Sequence, residues 1–177
     1  MFASDHGEML GDLNRLPKSV CYESAIRVPM IVRLPDRTGS GTTRSGFVET
    51  IDIHGSILEA AGCEPIPSTD ALSVMPMVRV SDDDRIREDV LAEVHAHYML
   101  RTQRWKIIIG RDGQTMTLFD LEKDPLEQSN YCGHPDYAQA ELEMRSRLLG
   151  RLTGGTYRPG KVDPELSAHS YKGSTGR

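Results

Sequence analysis

The chain has 177 residues, of which 38% are apolar and 27% are charged, proportions that are typical of a soluble globular protein. Its formal net charge of −5 argues against a nucleic-acid groove, because neutralising phosphates requires clustered Lys and Arg. The longest apolar run, residues 28–32, is far shorter than the roughly 20 residues that a transmembrane helix needs. The sequence therefore predicts no nucleic-acid partner and no membrane span.

The three cysteines, Cys21, Cys63 and Cys132, are 42 and 69 residues apart. An odd number at these spacings fits neither a complete disulfide framework nor a paired zinc site, so we expect free thiols. The first residues of the chain lack the positive region and the long apolar stretch of a secretory signal. The compartment stays open between cytoplasm and periplasm.

A dense cluster of polar groups follows directly on an apolar start. Met1, Phe2 and Ala3 precede the sequence Ser-Asp-His-Gly-Glu at positions 4–8. Functional groups of open α/β sheets lie just past the carboxyl ends of buried parallel strands, which run to about four to eight apolar residues. Three apolar residues resemble only the tail of such a strand, so we infer that the chain begins inside a larger fold.

Asp5 and His6 are the candidate metal ligands of this cluster. Carboxylate oxygen and imidazole nitrogen both bind divalent cations, and at a strand-to-loop switch both side chains can turn toward one ion. The competing interpretation is an ordinary turn with a hydrogen-bonded histidine. A weaker candidate pair, His95 and His97, is two residues apart on a predicted strand, where cross-strand packing competes with a metal role.

Two regular elements are predicted in the first half of the chain. Residues 28–33 form a strand whose early proline, Pro29, belongs at its start or at a sheet edge. Residues 52–61 form a helix that ends before a capping glycine, Gly62. The apolar positions at helical spacing are Ile53, Ile57, Leu58 and Ala61.

The second half predicts an antiparallel sheet covered by a helix. A connector with Pro65, Pro67 and Pro76 and a solvated acidic turn at residues 82–84 come first. The predicted strands are residues 90–96, 98–102, 105–109 and 116–121, with a hairpin Asp-Gly pair at 112–113. The helix, residues 136–152, has a predicted inward face of Ala138, Leu142, Arg145, Leu149 and Leu152. The polar, glycine-rich end is expected to be flexible or extended.

Two blocks of short motifs stand far apart in the chain. Residues 4–33 contain Ser-Asp-His, Gly-Glu, Gly-Asp, a lysine, Tyr-Glu, and Arg-Val-Pro before an apolar strand. Residues 101–130 contain Arg-Thr, Arg-Trp-Lys, Leu-Phe-Asp-Leu, Asp-Pro, Glu and Asn in that order. A helix that ends in Ala-Gly lies between them. This order resembles the sulfatase family of the alkaline-phosphatase superfamily, and the resemblance covers most of residues 2–152.

The resemblance implies roles for individual residues. Asp5 and His6 look like the family's second pair of ligands to a divalent metal, commonly calcium, whose first pair comes from acidic residues near the N-terminus of those proteins. Lys18 looks like the lysine that contacts the sulfate and balances charge as the ester bond breaks. Glu23 and Arg27 are expected to be scaffold, as an ion pair at helical spacing.

The sequence also departs from the family pattern. Leu13 and Asn14 stand where many relatives have a histidine and a glycine, and Pro17 takes a frequent glycine position. The family's nucleophile is a formylglycine made from the first residue of a Cys-X-Pro-X-Arg or Ser-X-Pro-X-Arg motif, and the chain contains no such motif. The isolated chain is therefore predicted to be inactive, because no covalent intermediate can form.

These patterns predict an α/β (α+β) chain in three parts. Residues 1–80 are the end of an alkaline-phosphatase-like α/β domain, residues 81–153 a subdomain with a four-stranded antiparallel sheet and a covering helix, and residues 154–177 a tail. The implied function, in a complete enzyme, is metal-dependent hydrolysis of sulfate esters. The alternatives are a phosphodiesterase or phosphonate monoester hydrolase of the same superfamily, or a non-catalytic interaction module. Exposed apolar surface is expected to favour homo-oligomers.

Overall fold

The structure is a computed structural model that describes residues 1–67, 69–79 and 86–156. The elements in chain order are β1 (Phe2–Ala3), a 3-10 turn (Asp12–Asn14), α1 (Glu23–Ile26), β2 (Met30–Ile31), α2 (Asp52–Ala60), α3 (Met75–Arg79), β3 (Val90–Val94), β4 (His97–Arg101), β5 (Trp105–Gly110), β6 (Thr115–Asp120), a second 3-10 turn (Pro135–Tyr137) and α4 (Ala138–Thr156). The predicted acidic turn, the boundary at residue 80 and the tail beyond residue 156 lie outside the described residues. None of the described helices is long and apolar enough to cross a membrane.

Four strands form an antiparallel meander in the order β3-β4-β5-β6, which confirms the predicted sheet. The turn between β5 and β6 contains the predicted Asp-Gly pair, and Gly113 adopts φ +79° there. Its N–H donates to the Gly110 carbonyl at 2.9 Å, which closes the turn. Glycine adopts this left-handed conformation without steric cost, so the pair sets where the hairpin reverses.

The sheet is buried on both faces because alternate residues of a strand point to opposite sides. One face packs against α4 in a core made of Leu100, Ile107, Ile109, Leu118, Met144 and Leu148. The other face is formed by Met99, Ile108, Phe119 and Leu121, and it is covered by Cys21, Tyr22 and Ile26. The segment around α1 therefore covers the sheet face opposite α4.

The structure confirms the helix α4 but corrects the face that it turns to the sheet. Leu142 and Leu149, which were predicted to point inward, are 63% and 62% exposed. Met144 and Leu148 are buried instead. The sheet-facing side also carries an ion pair of 3.2 Å between Glu141 and Arg145. Glu141 accepts a hydrogen bond from the Gly133 N–H, and Arg145 donates one to the Gly113 carbonyl. These polar contacts set the rotation of the helix, which apolar spacing alone cannot reveal.

The helix α2 agrees with its predicted bounds to one residue, and Gly62 follows it with φ +67°. Its inner face is polar, however, because Asp52 and Ser56 are fully buried. Ile57, one of the apolar positions at helical spacing, is more than half exposed. Apolar periodicity therefore identified the helix, but its apolar positions do not mark the buried side.

The buried Asp52 side chain explains that orientation. Its Oδ2 accepts from the Glu49 N–H at 2.8 Å and its Oδ1 accepts from the Leu72 N–H at 2.7 Å. Arg87, whose side chain is also buried, pairs with the same carboxylate and with Glu49 Oε2 at 2.8 Å. Arg151 of α4 reaches Glu49 Oε1 at 2.9 Å, so this network joins α2 to α4.

The N-terminal strand also differs from expectation. β1 pairs with β2 in antiparallel register, Phe2 with Ile31 and Ala3 with Met30, whereas a buried parallel strand was predicted. Pro29 lies just before β2, at the expected place for a residue without a donor. Phe2 and Ile31 are 62% and 60% exposed as a cross-strand pair. The homo-oligomer that such apolar surface favours stays a prediction.

Two local predictions were wrong. The connector contains the helix α3, and Pro76 occupies its first turn, where a missing N–H costs nothing. His95 lies in the turn after β3 with φ +51°, so it does not share a strand with His97. Among the described residues, no group of three or more His, Cys, Asp or Glu side chains could hold a metal ion. All three cysteines are free thiols, as predicted.

We predict that Asp52→Asn lowers the free energy of unfolding by about 2 to 3 kcal/mol, because it weakens a buried ion pair and leaves Arg87 undercompensated. Glu59→Gln is the matched control, since it removes an exposed ion pair with Arg79 of 3.3 Å and should cost less than about 1 kcal/mol. Urea unfolding at neutral pH measures both. Equal losses in the two variants would contradict a structural role for the buried network.

A second prediction concerns acid stability. Asp120 ends β6 with a fully buried side chain, and hydrogen bonds from Arg104, the shorter being 2.9 Å, hold the pKa of its carboxyl below the usual 3.8. A lowered folded-state pKa stabilises the fold above pH 3.8, and this contribution is lost as the pH falls through the folded value. In urea titrations from pH 5 to pH 2, Asp120→Asn should make the free energy of unfolding fall less steeply with decreasing pH than in the wild-type chain. The exposed Asp136→Asn should leave it unchanged, and a wild-type slope in Asp120→Asn would refute this assignment.

Candidate functional site

The loop that follows β1 brings three polar side chains together. Lys18 Nζ lies 2.5 Å from His6 Nε2, although the two residues are 12 positions apart in sequence. Asp5 Oδ2 lies 3.5 Å from the same imidazole nitrogen. The three residues singled out from the sequence therefore share one small surface region, with the Asp5 side chain largely exposed and His6 partly so.

Backbone contacts fix the orientation of the His6 ring. His6 Nδ1 lies 2.8 Å from the Gly7 carbonyl, which can only accept, so Nδ1 carries the proton and Nε2 presents a lone pair. The His6 N–H donates to Asp5 Oδ1 at 3.0 Å, and Ser4 Oγ donates to the His6 carbonyl at 2.8 Å. Electrostatic attraction to the adjacent His6, with the hydrogen bond from the His6 N–H, lowers the pKa of the Asp5 carboxyl.

The loop is attached to α1 at close range. The Gly7 N–H donates to the Ala25 carbonyl at 2.7 Å. A Cβ on Gly7 would lie 2.1 Å from the Ser24 carbonyl oxygen, so the approach requires glycine at this position. Further along the loop, the Asp12 carboxylate accepts a hydrogen bond from Ser24 Oγ. The position of α1 therefore determines where Asp5 and His6 lie.

The helix α1 is held by a buried lysine that sequence reasoning did not single out. Lys106 of β5 is completely buried, and its Nζ lies 2.6 Å from Glu23 Oε1. The expected Glu23–Arg27 pair is long, at 4.0 Å, and Arg27 is mostly exposed. Arg101 Nε also donates to Glu23 Oε1, at 3.2 Å. The main partners of Glu23 are thus in the sheet, and the scaffold role expected for this residue extends to β4 and β5.

Three oxygen atoms surround the Lys106 ammonium, one of them through a hydrogen bond and two through ion pairs. Besides Glu23, it contacts Glu127 Oε1 at 2.5 Å and donates to the Cys21 carbonyl at 3.2 Å. Burial raises the pKa of Glu127, whereas Lys106 and Arg101 outweigh burial at Glu23 and lower its pKa. Burial also raises the pKa of the Cys21 thiol to about 11. Lys106 therefore lies between two carboxyl groups whose pKa values are shifted in opposite directions.

A signal for Lys106 was present in the sequence. The lysine stands directly before three isoleucines, at positions 107–109, in a segment already predicted to be a strand. Lysine is almost never fully buried unless it is paired, so a lysine in a strand with two buried faces implies carboxylate partners. Which carboxylates these are depends on tertiary structure, because Glu23 and Glu127 are 104 residues apart.

Comparison with known proteins identifies the family. The family model described as "N-sulphoglucosamine sulphohydrolase, C-terminal" matches residues 11–153, a range that includes Lys18 but not Asp5 or His6. Arylsulfatase K of Gallus gallus is 31% identical over 144 residues, which cover 73% of this chain and 27% of that protein. The N-acetylglucosamine-6-O-sulfatase of Bacteroides thetaiotaomicron is 27% identical over 160 residues, covering 84% of this chain and 29% of that protein.

Solved structures show the same fold. A protein solved in complex with its substrate D-glucosamine-2-N,6-O-disulfate superposes with a TM-score of 0.79 at 24% identity, covering 87% of this chain and 34% of that one. The phosphonate monoester hydrolase of Agrobacterium radiobacter gives 0.77 at 24% identity, with coverages of 87% and 34%. The chain spans 27% to 33% of the length of the curated relatives that it matches. It belongs to the family of C-terminal domains of N-sulphoglucosamine sulphohydrolase, and thereby to the sulfatases.

Proposed function

We propose that this chain is part of a hydrolase that cleaves sulfate esters with the help of a divalent metal. Asp5 and His6 would be two ligands of that metal, and Lys18 would contact the sulfate. The observation that carries the proposal is the convergence of these three side chains, with Lys18 Nζ 2.5 Å from His6 Nε2 and Asp5 Oδ2 3.5 Å from the same atom. A carboxylate, an imidazole and an ammonium in one place form a setting for an anion held between cations.

The donor set of Asp5 and His6 fits a divalent cation. His6 presents Nε2 with a lone pair because Gly7 holds the Nδ1 proton, and one Asp5 oxygen is not engaged by the His6 N–H. The resemblance to the sulfatases favours calcium, whose sites in proteins usually assemble six to eight oxygen ligands. Only Asp5 supplies oxygen here, so further oxygen ligands must join Asp5 and the His6 nitrogen. Such a metal would hold a sulfate oxygen and stabilise negative charge on it.

Lys18 serves the anion rather than the metal. Its ammonium lies at the His6 nitrogen that a cation would use, and two positive charges cannot share that position. Metal binding therefore requires the Lys18 side chain to swing away from His6 while its backbone stays in place. A flexible four-carbon stem allows this movement and delivers the ammonium to an oxygen of the bound anion.

The nucleophile must come from residues outside this chain. Its 177 residues contain no Cys-X-Pro-X-Arg or Ser-X-Pro-X-Arg motif, from which the family's formylglycine is made. Asp5, His6 and Lys18 can position and neutralise an anion, but none of them is placed to form a covalent sulfated intermediate. We infer that the isolated chain has no hydrolase activity.

The proposed substrate class is a sulfate ester carried by a sugar. The support is that the matched family model and one relative bear the names of glucosamine sulfatases. A phosphonate monoester is the second candidate, because a hydrolase of that class superposes almost as well as the sulfated-sugar complex. A metal and a lysine attract either tetrahedral anion, so activity on matched substrates has to separate them.

We predict that Lys18→Met binds divalent cations about fivefold more tightly than the wild-type chain, because one nearby positive charge is removed. The probe is Mn²⁺, whose free form is measured by electron paramagnetic resonance at pH 7.5. Asp5→Ala should weaken binding, and Lys123→Met, an exposed lysine of the sheet subdomain, should not change it. Unchanged or weaker binding in Lys18→Met would argue against a shared metal and anion site.

Activity is tested in a chimera. Residues 1–177 replace the matching C-terminal part of the Bacteroides N-acetylglucosamine-6-O-sulfatase, and we expect hydrolysis of a sulfated sugar to be retained. Lys18→Ala should lower kcat about 100-fold or more, because a fixed cation at developing negative charge is lost. Lys123→Ala serves as the control.

The same assays include a phosphonate monoester and the isolated chain with Ca²⁺, Mn²⁺ or Zn²⁺. We expect no turnover by the isolated chain and a preference of the chimera for the sulfate ester. A folded chimera that keeps full activity after Lys18→Ala would overturn the role of Lys18. Saturable, metal-dependent turnover by the isolated chain would show that it contains its own nucleophile.

A further inference from the structure

The loop that carries the candidate site contacts one short segment, residues 21–25, at several positions. At its start, the Gly7 N–H donates to the Ala25 carbonyl at 2.7 Å. Near its middle, Asp12 accepts a hydrogen bond from Ser24. At its end, three residues beyond Lys18, the chain passes through Cys21 into α1. The distance between His6 and Lys18 therefore depends on how this segment is held.

Lys106 contacts that segment at two atoms, the Cys21 carbonyl oxygen and Glu23 Oε1. Its Nζ donates to the Cys21 carbonyl at 3.2 Å and contacts Glu23 Oε1 at 2.6 Å. On its other side, Glu127 pairs with Lys106 and also accepts the Glu23 N–H at 2.7 Å. Backbone and side chain of Glu23 are thus both tied to the buried face of the sheet. The hydrogen bonds and ion pairs described for Lys106, Glu23 and Glu127 do not reach the side chains of Asp5, His6 or Lys18.

We propose that Lys106 is a positioning residue for the site, acting through Cys21 and Glu23 to fix the segment on which the Asp5–His6 turn and the Lys18 loop are mounted. The role in catalysis rests on the proposed function, whereas the contacts that position the segment do not depend on it. The apolar contacts of Cys21, Tyr22 and Ile26 with the sheet are non-directional and hold the segment without orienting it. Lys106 adds a directional hydrogen bond to the Cys21 carbonyl and an ion pair of 2.6 Å with Glu23, so two points of the segment are fixed relative to one atom of the sheet.

Burying the Lys106 ion pairs costs desolvation free energy, and we infer that the benefit which offsets this cost is a fixed position of the segment. Replacing a buried ion pair by apolar residues of similar volume is often neutral or stabilising, so stability alone does not explain a fully buried lysine. Here two of the three oxygens around its ammonium belong to the segment that carries the site, and they lie 85 and 83 positions away in sequence.

The test separates position from stability in the full chain without metal or sulfate ester. Lys106→Met with Glu127→Gln removes the ammonium and one carboxylate, so that Glu23 keeps Arg101 and no pair of like charges is left buried. Two nuclear magnetic resonance readouts report position: the nuclear Overhauser effect between the His6 ring and the Lys18 side chain, and hydrogen exchange of the Gly7 amide. Exchange of the Leu100 and Ile107 amides, which belong to a cross-strand pair of β4 and β5, reports that the sheet remains folded.

We expect the double variant to lose the His6–Lys18 effect and to exchange the Gly7 amide about tenfold faster, with the sheet amides still protected. Leu148→Ala, which truncates the core on the opposite face, should lower the melting temperature and leave both position readouts unchanged. Glu127→Gln alone keeps Lys106 on Glu23 and should change Gly7 exchange by less than about twofold.

Unchanged position readouts in a folded double variant would overturn the proposal, and so would equal loosening in Leu148→Ala. If the double variant does not fold, Glu23→Gln decides in its place, and we expect faster Gly7 exchange in that variant too. Because no catalysis is measured, these outcomes are independent of the chimera assay. A loop that loosens as expected in a protein without sulfatase activity would refute the proposed function alone.

Discussion

The burial of one ammonium group is the constraint on which this structure depends. Taking Lys106 out of water costs several kcal/mol, and the cost is offset only when the ammonium is paired with nearby oxygens. Those oxygens belong to Cys21 and Glu23 in the N-terminal segment and to Glu127 after β6. The sheet and the segment are therefore held together, because separating them leaves a charge unpaired in apolar surroundings.

A second network of buried ion pairs joins the region of α2 to α4. Asp52 and Glu49 share Arg87, and Arg151 joins Glu49 to α4 and also pairs with Asp89. Apolar packing brings these elements together, while the buried charges decide their rotation. This is why both α2 and α4 present faces to the interior that differ from their most apolar ones.

The sheet supports the loop that carries the candidate site. Asp5, His6 and Lys18 lie in an irregular loop, where Asp5 and Lys18 are exposed and His6 is partly so. A loop of this kind keeps a defined shape only if its ends are fixed by something rigid. Here that support is α1, seated on a sheet that is buried on both faces.

The sequence by itself determined what depends on local pattern and on short motifs. The four strands, the Asp-Gly hairpin and the glycine-ended helix α2 follow from residues close together in the chain, whereas Asp5, His6 and Lys18 were singled out through the order of motifs that resembles the sulfatases. Only the tertiary structure decided the buried faces of α2 and α4 and the antiparallel pairing of β1. It alone revealed the partners of Lys106, because hydrogen bonds between groups more than 80 residues apart leave no periodic trace in the sequence.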